Sequence, residues 1–204
     1  MTTSNPVRRS RREEILDLAV ELFAARGYHG VSMDDIGARA HITGPALYHH
    51  FKGGKEAMLA EALIPVSERL REGGREHASQ HRDDPRAALR ALVAFHVEFA
   101  LSSPAVIAVH LHELDRLPEE PRRTIRRLQR AYVEEWVEVL RQLRPELSVD
   151  NARVLAHAAF GLMNSTPFLG RETLAERAEI TQLLGEAALS ALDPQHRKQD
   201  LTIV

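Results

Sequence analysis

The residues best suited to chemistry in this chain are its histidines. An imidazole is a common metal ligand, so a metal site is one hypothesis for His96, His110, His112 and His157. His110 and His112 are two residues apart and would point in nearly opposite directions on a helix, so they cannot share a metal, whereas His110 and Glu113 lie on one face. A single His-x-x-Glu pair is weak support for a metal. The simpler interpretation is that these histidines supply polar contacts in an apolar core or cavity.

The other groups that catalysis commonly uses are missing from the sequence. It contains no cysteine, which excludes a disulfide, a thiolate metal site and a cysteine nucleophile. No nucleophile and base stand at the spacing of a catalytic set, and Ser165-Thr166 is more simply a helix end. We therefore expect a protein that is not an enzyme and that carries no metal or cofactor.

The composition is that of a globular protein: among 204 residues, 44% are hydrophobic and 27% are charged. No apolar run approaches the ~20 residues that span a bilayer, and the N-terminal MTTSNPVRRSRREE lacks the apolar segment of a secretory signal. These features predict a cytoplasmic protein without a membrane partner. The net charge of −2 argues against general nucleic-acid binding, but the first 55 residues are net positive, most densely at RRSRR.

A second stretch with unusual chemistry is ITGPALYHHFKGGKEAML, which places four aromatic or imidazole rings in a row before a glycine turn. Apolar spacing ahead of it predicts a first helix that ends at Gly27, and Ser32 opens a short second helix with Asp35 placed for a capping box. Thr43 can cap a third helix whose first turn accepts Pro45. Two short helices joined by a turn of about four residues and braced by a longer helix form a helix-turn-helix.

This pattern resembles a known family. The segment ILDLAVELFAARGYHGVSMDDIGARAHITGPALYHHFKGGKEAML, within residues 10–60, is similar to the DNA-binding domain of TetR-type (tetracycline-repressor-like) transcriptional regulators, and it covers about a quarter of the chain. The resemblance implies an all-α fold with an N-terminal three-helix DNA-binding domain in residues 1–54 and a C-terminal helical ligand-binding and dimerisation domain in residues 55–192. We expect residues 193–204 to form a disordered tail.

The resemblance also implies which residues meet DNA. In such a motif the third helix lies in the major groove with its N-terminal residues at the base edges. By resemblance, Thr43, Gly44, Pro45 and Ala46 face the bases. Tyr48 and His49 lie along the strand, and Lys55 meets a phosphate. The remaining DNA-binding residues are Arg11, Arg12 and Ser32.

Two departures from the family's usual pattern affect specificity. Gly44-Pro45-Ala46 stands where many relatives have Lys-Gly-Thr, and the turn Lys52-Gly53-Gly54 is one residue longer than is common. Hydrogen-bond donors to bases are therefore few, and we expect thymine-methyl contacts by Ala46, together with indirect readout, to carry more of the specificity. Phe51 is more simply a core residue.

After residue 55 the apolar spacing stays near 3.6 residues, which predicts helices and no strands. Prolines divide the pattern, since the residue before a proline tends to leave the helical region. The predicted helices span 55–77 with a bend before Pro65, 85–101, 104–116, 119–143, 149–165 and 172–192.

In the family, the ligand lies between helices four to eight and the last two helices pair with those of a second subunit. The resemblance thus implies a cavity lined by Phe95, Phe99, His110, Glu113, Trp136, Leu140, Phe160 and Asn164. It also implies a homodimer interface that includes Val154, Leu155, Ala158, Leu162, Leu183, Leu184 and Ala187, with Ala159 and Leu189 in it or adjoining it. A mostly apolar lining favours a lipophilic effector such as an acyl chain or acyl thioester, and Glu113 would suit a cationic effector instead.

Together these features predict a ligand-responsive transcriptional regulator: a homodimeric repressor that a small lipophilic effector releases from a palindromic operator in duplex DNA. The alternative is a helical metal-binding or enzymatic protein with a coincidental helix-turn-helix. A specific DNA-binding protein loses affinity steeply with salt, so the salt dependence of DNA binding distinguishes the first function from the second.

Overall fold

In the computed structural model, which describes residues 10–169 and 176–195, all regular secondary structure within those ranges is helical, as predicted. The helices are α1 Arg11–Arg26, α2 Met33–Arg39, α3 Gly44–His50, α4 Gly54–Gln80, α5 Pro85–Ser102, α6 Pro104–Glu113, α7 Glu119–Leu143, α8 Val149–Met163 and α9 Arg177–Leu192, with short 3-10 turns at Leu114–Arg116 and Thr166–Phe168. We call α1 to α3 the head and α4 to α9 the body.

The caps predicted for the head are confirmed. Ser32 accepts a hydrogen bond from the amide of Asp35, whose carboxylate accepts one from the amide of Ser32 at 2.7 Å. Thr43 caps α3, and Pro45 lies in its first turn, where no intrahelical amide is lost. Gly27 follows α1 with a φ of 73°, a conformation that favours glycine. Local sequence signals therefore begin and end the helices that present α3.

The crossing of α2 and α3 depends on Gly37. A Cβ atom at this position would lie 2.9 Å from the carbonyl oxygen of Ile42, and the Ile42 amide donates to the Gly37 carbonyl at 2.9 Å. The absence of a side chain lets the turn pass directly over α2, which sets the angle of α3.

One hydrophobic core runs from the head into the body. It contains fully buried residues of the head, such as Ile36 and Leu47, and continues through Leu63 of α4 to Val109 of α6 and Ile125 of α7. The predicted domain boundary at residue 54 therefore does not coincide with a gap in packing.

A second core fills the body. It is formed by α5, α7, α8 and α9, where Leu92, Trp136, Met163 and Leu192 are fully buried. Among the described residues no single helix is long and apolar enough to cross a membrane. The segment from α5 through α6 and the following turn reaches that length and apolarity only as a pair, and its two parts meet at 90°.

Details differ from the predicted bounds. Pro65 lies inside α4, which continues on both sides of it, and the predicted bend there stays a prediction. Asp193, assigned by prediction to the tail, is buried and pairs with Arg86 at 3.0 Å, so the packed body includes it. The rest of the predicted tail beyond residue 195 and the predicted start of the last helix at 172–175 lie outside the described residues.

Candidate DNA-binding surface and effector cavity

The outer side of α3 carries the residues predicted to face DNA. Thr43, Pro45, Tyr48 and His49 are exposed, and Gly44 and Ala46 are half-buried. Leu47 is fully buried on the opposite side and anchors the helix to the head. The side chain of Tyr48 is 51% exposed although it is large and aromatic, so it is available to a partner.

The two predicted DNA-binding arginines are engaged within the protein. The guanidinium of Arg11 donates to the carbonyl of Ala40 at the end of α2, and that of Arg12 donates to the carbonyl of His50 at the end of α3. Arg12 also pairs with both carboxylate oxygens of Glu61, each at 2.7 Å, and lies 4.2 Å above the ring of Phe51. A cation at the C-terminal end of a helix stabilises carbonyls that lack an intrahelical partner. These arginines therefore hold the ends of α2 and α3 in place.

Lys55 has a comparable position behind the recognition helix. Its ammonium donates to the carbonyl of Tyr28 at 2.8 Å and to that of Val31 at 2.6 Å, and it lies 4.4 Å from the centre of the Tyr28 ring. Two of its three donors are thus used, and a phosphate would have only one left. The predicted phosphate contact of Lys55 stays a prediction, and its observed contacts brace the segment between α1 and α2.

Lys52 is not among the residues predicted to contact DNA. This residue is exposed in the turn between α3 and α4, and within the described ranges it has no hydrogen bond or ion pair. The longer Lys52-Gly53-Gly54 turn places a cation directly after the recognition helix, and that position is the signal that could have identified Lys52 as a phosphate contact.

The body contains a cavity of about 830 Å³ between α4, α5, α6, α7 and α8. Four of the predicted ligand-binding residues line it: Phe99, His110, Phe160 and Asn164. The rest of its wall combines apolar side chains with polar and charged ones. The apolar members are Val66, Leu70, Val106, Ile107, Leu111 and Val133, and the polar or charged members are Ser67, His96, Arg126, Gln129, Arg130, Tyr132, Glu134, Arg153 and His157.

Three other predicted ligand-binding residues belong to the packed interior instead. Trp136 and Leu140 are fully buried in the second core. Phe95 packs on His77 with ring centres 5.0 Å apart, and it occupies the space above Gly73, where a Cβ atom would lie 2.2 Å from its ring. Trp136 and Leu140 are therefore surrounded by protein atoms, and Phe95 is half-buried outside the cavity wall.

Glu113 is the remaining predicted ligand-binding residue that does not line the cavity, and it points toward the head. Its Oε1 accepts a hydrogen bond from the amide of Tyr28 at 3.1 Å, and Arg116 lies 3.8 Å from its Oε2. Because Tyr28 directly follows the end of α1, this bond joins α6 to the head. A role in binding a cationic ligand is therefore not supported.

A chain of three polar side chains forms part of the cavity wall. Nδ1 of His96 lies 3.0 Å from the Tyr132 hydroxyl, and Nε2 of His96 lies 3.0 Å from Oδ1 of Asn164. Burial lowers the pKa of His96 from 6.5 to about 4, with the Asn164 hydrogen bond acting in the opposite direction. Burial raises the pKa of the Tyr132 hydroxyl well above its ordinary range. Both groups are thus neutral near pH 7.

Ionic groups surround the cavity at its margin. Arg126 pairs with Asp115 at 2.9 Å, and Arg153 pairs with Glu134 at 2.8 Å. Burial lowers the pKa of His110, whose ring is in contact with the Gln129 amide. Within residues 10–169 and 176–195, no three His, Asp or Glu side chains are grouped so that they could hold a metal ion.

The predicted dimer residues form an apolar surface on α8 and α9. Val154 and Leu183 are 66% and 60% exposed, so α8 and α9 each present a large apolar side chain to solvent. The smaller and half-buried members of the predicted set continue this surface: Ala158 and Ala187 are exposed, and Leu155, Leu162 and Leu184 are half-buried. Ala159 differs because it is buried in the second core.

Comparison with known proteins gives matches in both parts of the chain. Residues 15–62 match the family described as "Bacterial regulatory proteins, tetR family", and residues 82–168 match "Tetracyclin repressor-like, C-terminal domain". The two matches therefore include the helix-turn-helix and most of the cavity-forming helices.

Individual relatives agree with these matches. The HTH-type transcriptional repressor KstR2 of Rhodococcus jostii strain RHA1 is 36% identical over 131 residues, which are 64% of this chain and 63% of the relative. KstR2 of Mycobacterium tuberculosis strain H37Rv is 32% identical over 161 residues, covering 69% of this chain and 73% of the relative. The solved structure of the M. tuberculosis ketosteroid transcriptional regulator KstR2 superposes with a TM-score of 0.76 at 26% identity, covering 92% of this chain and 95% of that one.

Proposed function

This chain belongs to the TetR family of bacterial regulatory proteins, and from that premise we propose that it is a ligand-responsive transcriptional repressor, active in the cytoplasm, that binds duplex DNA as a homodimer. The exposed outer side of α3 would enter the major groove. Thr43, Pro45 and Ala46 lie at the N-terminal end of that helix, where side chains reach base edges.

The observation that carries this proposal is the position of α6. His110 on this helix lines the cavity, and Glu113, almost one turn later, binds the amide of Tyr28 in the head. A ligand that displaces His110 would therefore move the residue that holds the head. Such a ligand lowers DNA affinity if it prefers a conformation in which the two recognition helices no longer fit their half-sites.

The cavity supports a small lipophilic effector. Most of the surface that lines it is apolar, with Phe99, Ile107 and Phe160 among the contributing side chains, and its volume lies in the range of small-molecule sites. Arg126 and Arg153 at the margin would tolerate an acidic group on such a molecule. The relative described as a ketosteroid regulator is consistent with an apolar effector.

The apolar surface on α8 and α9 supports a two-fold dimer. Val154 and Leu183 are the exposed large side chains on this surface, and association of two copies would bury both. A dimer would place two copies of α3 in successive major grooves, about 34–36 Å apart, and so would require a palindromic site.

Footprinting on DNA taken from beside the gene of this protein tests the proposal. We expect two protected half-sites related by a two-fold axis, and a reporter placed behind this DNA should be more active when the protein is absent. Tyr48→Ala should weaken the footprint, whereas Gln142→Ala, at an exposed position on the body, should not. Protection of a single half-site by a monomer would contradict the dimer, and a reporter that becomes less active without the protein would indicate an activator.

A further inference from the structure

The hydrogen bonds that join Tyr132, His96 and Asn164 in the cavity wall all donate in the same direction, and the Tyr132 hydroxyl determines which direction that is. Tyr132 is buried, and the acceptor beside its hydroxyl in the described ranges is Nδ1 of His96, since the neighbouring indole N–H of Trp136 can only donate. A buried hydroxyl hydrogen that has no acceptor is costly, so the hydroxyl donates to Nδ1. Nδ1 must then be the unprotonated nitrogen of the ring.

The rest of the chain follows from this assignment. His96 is neutral, because its burial disfavours the charged form. A neutral ring that accepts at Nδ1 carries its proton on Nε2, so Nε2 donates to Oδ1 of Asn164. The opposite orientation would make Asn164 the donor to Nε2 and would leave the Tyr132 hydroxyl hydrogen without an acceptor.

The amide nitrogen of Asn164 is the open end of the chain. It has no hydrogen-bond partner in the described parts of the protein, and the indole nitrogen of Trp136 is the one buried side-chain N or O atom there that lacks a partner. The Asn164 amide nitrogen is therefore accessible, and Asn164 lines the cavity. The wall thus offers an N–H donor to whatever occupies the cavity. The orientation of this donor is determined by Tyr132, which acts through His96.

From this geometry we propose that the cavity selects ligands that present a carbonyl or carboxylate oxygen on an otherwise apolar body, and that Asn164 is the specificity-determining residue. This inference rests on the proposed role of the cavity as the effector site. A ligand oxygen accepts from the Asn164 amide, whereas an amine of the same length would place a donor against a donor. A polar site discriminates strongly against a ligand that leaves its hydrogen-bonding group unpaired.

The positions of His96 and Tyr132 give them a supporting role. Neither needs to touch the ligand oxygen, because each fixes the orientation of the next group in the chain. The rings of His96 and Tyr132 are stacked with centres 5.8 Å apart, and Phe160 lies 4.9 Å from His96, so the chain is held by packing as well as by hydrogen bonds.

Three linear probes of equal chain length test the selection: 2-undecanone, undecanoic acid and undecylamine. Trp136 is the sole tryptophan of the chain and lies against His96 with ring centres 6.0 Å apart, so its fluorescence reports occupancy of the cavity. We expect the ketone to bind at least about tenfold more tightly than the amine, as one hydrogen bond and its mismatch would produce. The acid separates a neutral carbonyl preference from a carboxylate preference.

Two substitutions separate donation from packing. Asn164→Asp keeps the size of the side chain and the acceptor for His96 but replaces the amide donor with an oxygen, so it should weaken ketone binding about tenfold and strengthen amine binding. Gln129→Ala, on another wall of the same cavity, should preserve the order of the three probes. Equal affinity for ketone and amine, an unchanged order in Asn164→Asp, or no saturable binding of any probe would overturn the proposal.

These measurements use the protein without DNA, so they are independent of the regulatory role. Selective binding that leaves the footprint on DNA unchanged would retain the ligand class and reject the cavity as the regulatory site. A footprint that some other molecule releases, with no preference among the probes, would retain the repressor and reject Asn164 as the selecting residue.

Discussion

Three cationic side chains, two on α1 and one at the start of α4, donate to main-chain carbonyls of the head, whereas in the cavity three neutral side chains form a chain with an open end. Arg11 is exposed and Arg12 and Lys55 are half-buried, and all three donate to groups of the protein itself. His96 and Tyr132 are buried, and the last group of their chain, Asn164, reaches the cavity. The cationic donors around the head are thus paired within the protein, whereas the amide nitrogen of Asn164 in the cavity wall is not.

This difference suggests a division of labour. A DNA-reading helix must be presented in one orientation, and charges at helix ends provide that orientation without any ligand. An effector site must gain something when the ligand arrives, and an unpaired donor in an apolar wall supplies that gain. The free energy of unfolding should therefore depend on the protonation state of the neutral groups in the body and on the cationic side chains that bind the carbonyls of the head.

The largest effect that tests this contrast concerns pH and the body. The folded protein keeps His96 neutral down to about pH 4, whereas the unfolded chain protonates it below its ordinary value of 6.5. Acid therefore favours the unfolded chain, and the free energy of unfolding should fall between pH 6.5 and 4 by up to about 1.4 kcal/mol per pH unit from this group. Urea unfolding at several pH values, compared between the protein and His96→Gln, isolates the contribution. Identical pH dependence in both would show that His96 is not held neutral.

A smaller effect is expected at Glu113, the contact between the two regions. Glu113→Ala leaves the amide of Tyr28 without its acceptor and should lower the free energy of unfolding by about 1–3 kcal/mol. Glu113→Gln retains a carbonyl oxygen at the same place and should recover most of that loss. Thermal unfolding and the affinity for operator DNA should change together in the alanine variant. If the glutamine variant were as unstable as the alanine variant, the charge and not the hydrogen bond would join the regions.

The smallest effect distinguishes the two lysines next to the recognition helix. Lys52→Ala should leave stability unchanged and flatten the log–log salt dependence of DNA binding by about 0.9 for each subunit, as the loss of one phosphate contact requires. Lys55→Ala should instead reduce stability by about 1–2 kcal/mol, because two carbonyls lose a charged donor, and should leave the salt slope nearly the same. Anisotropy titrations at several salt concentrations measure both slopes. The reverse assignment would mean that Lys55 binds phosphate after all.

Sequence reasoning succeeded where the cause lies within a few residues. The Ser32–Asp35 box, the Thr43 cap and the end of α1 at Gly27 each depend on side chains no more than three positions away. The helical pattern of the body was also predictable, since apolar spacing directly reports a buried face.

It failed where a side chain's partner is distant in sequence. Glu113 and Tyr28 are 85 positions apart, and nothing near either residue indicates their contact. Periodicity also shows that Trp136 faces inward without showing whether the interior is filled or hollow at that point. Tyr132 could have been found, because it lies one turn before Trp136 on the same face of α7 and carries a hydroxyl that needs a partner when buried.

The continuous core between head and body bears on how such regulators could be recombined. Val109 and Ile125 belong to the body in sequence, but they pack in the same cluster as Ile36 and Leu47 of the head. A hybrid regulator that joins the first 54 residues to another effector domain would keep Ile36 and Leu47 but replace Val109 and Ile125, against which they pack. Productive hybrids would need matching side chains at 109 and 125, so new operator specificities are more readily grafted by changing the outer side of α3 than by exchanging the head.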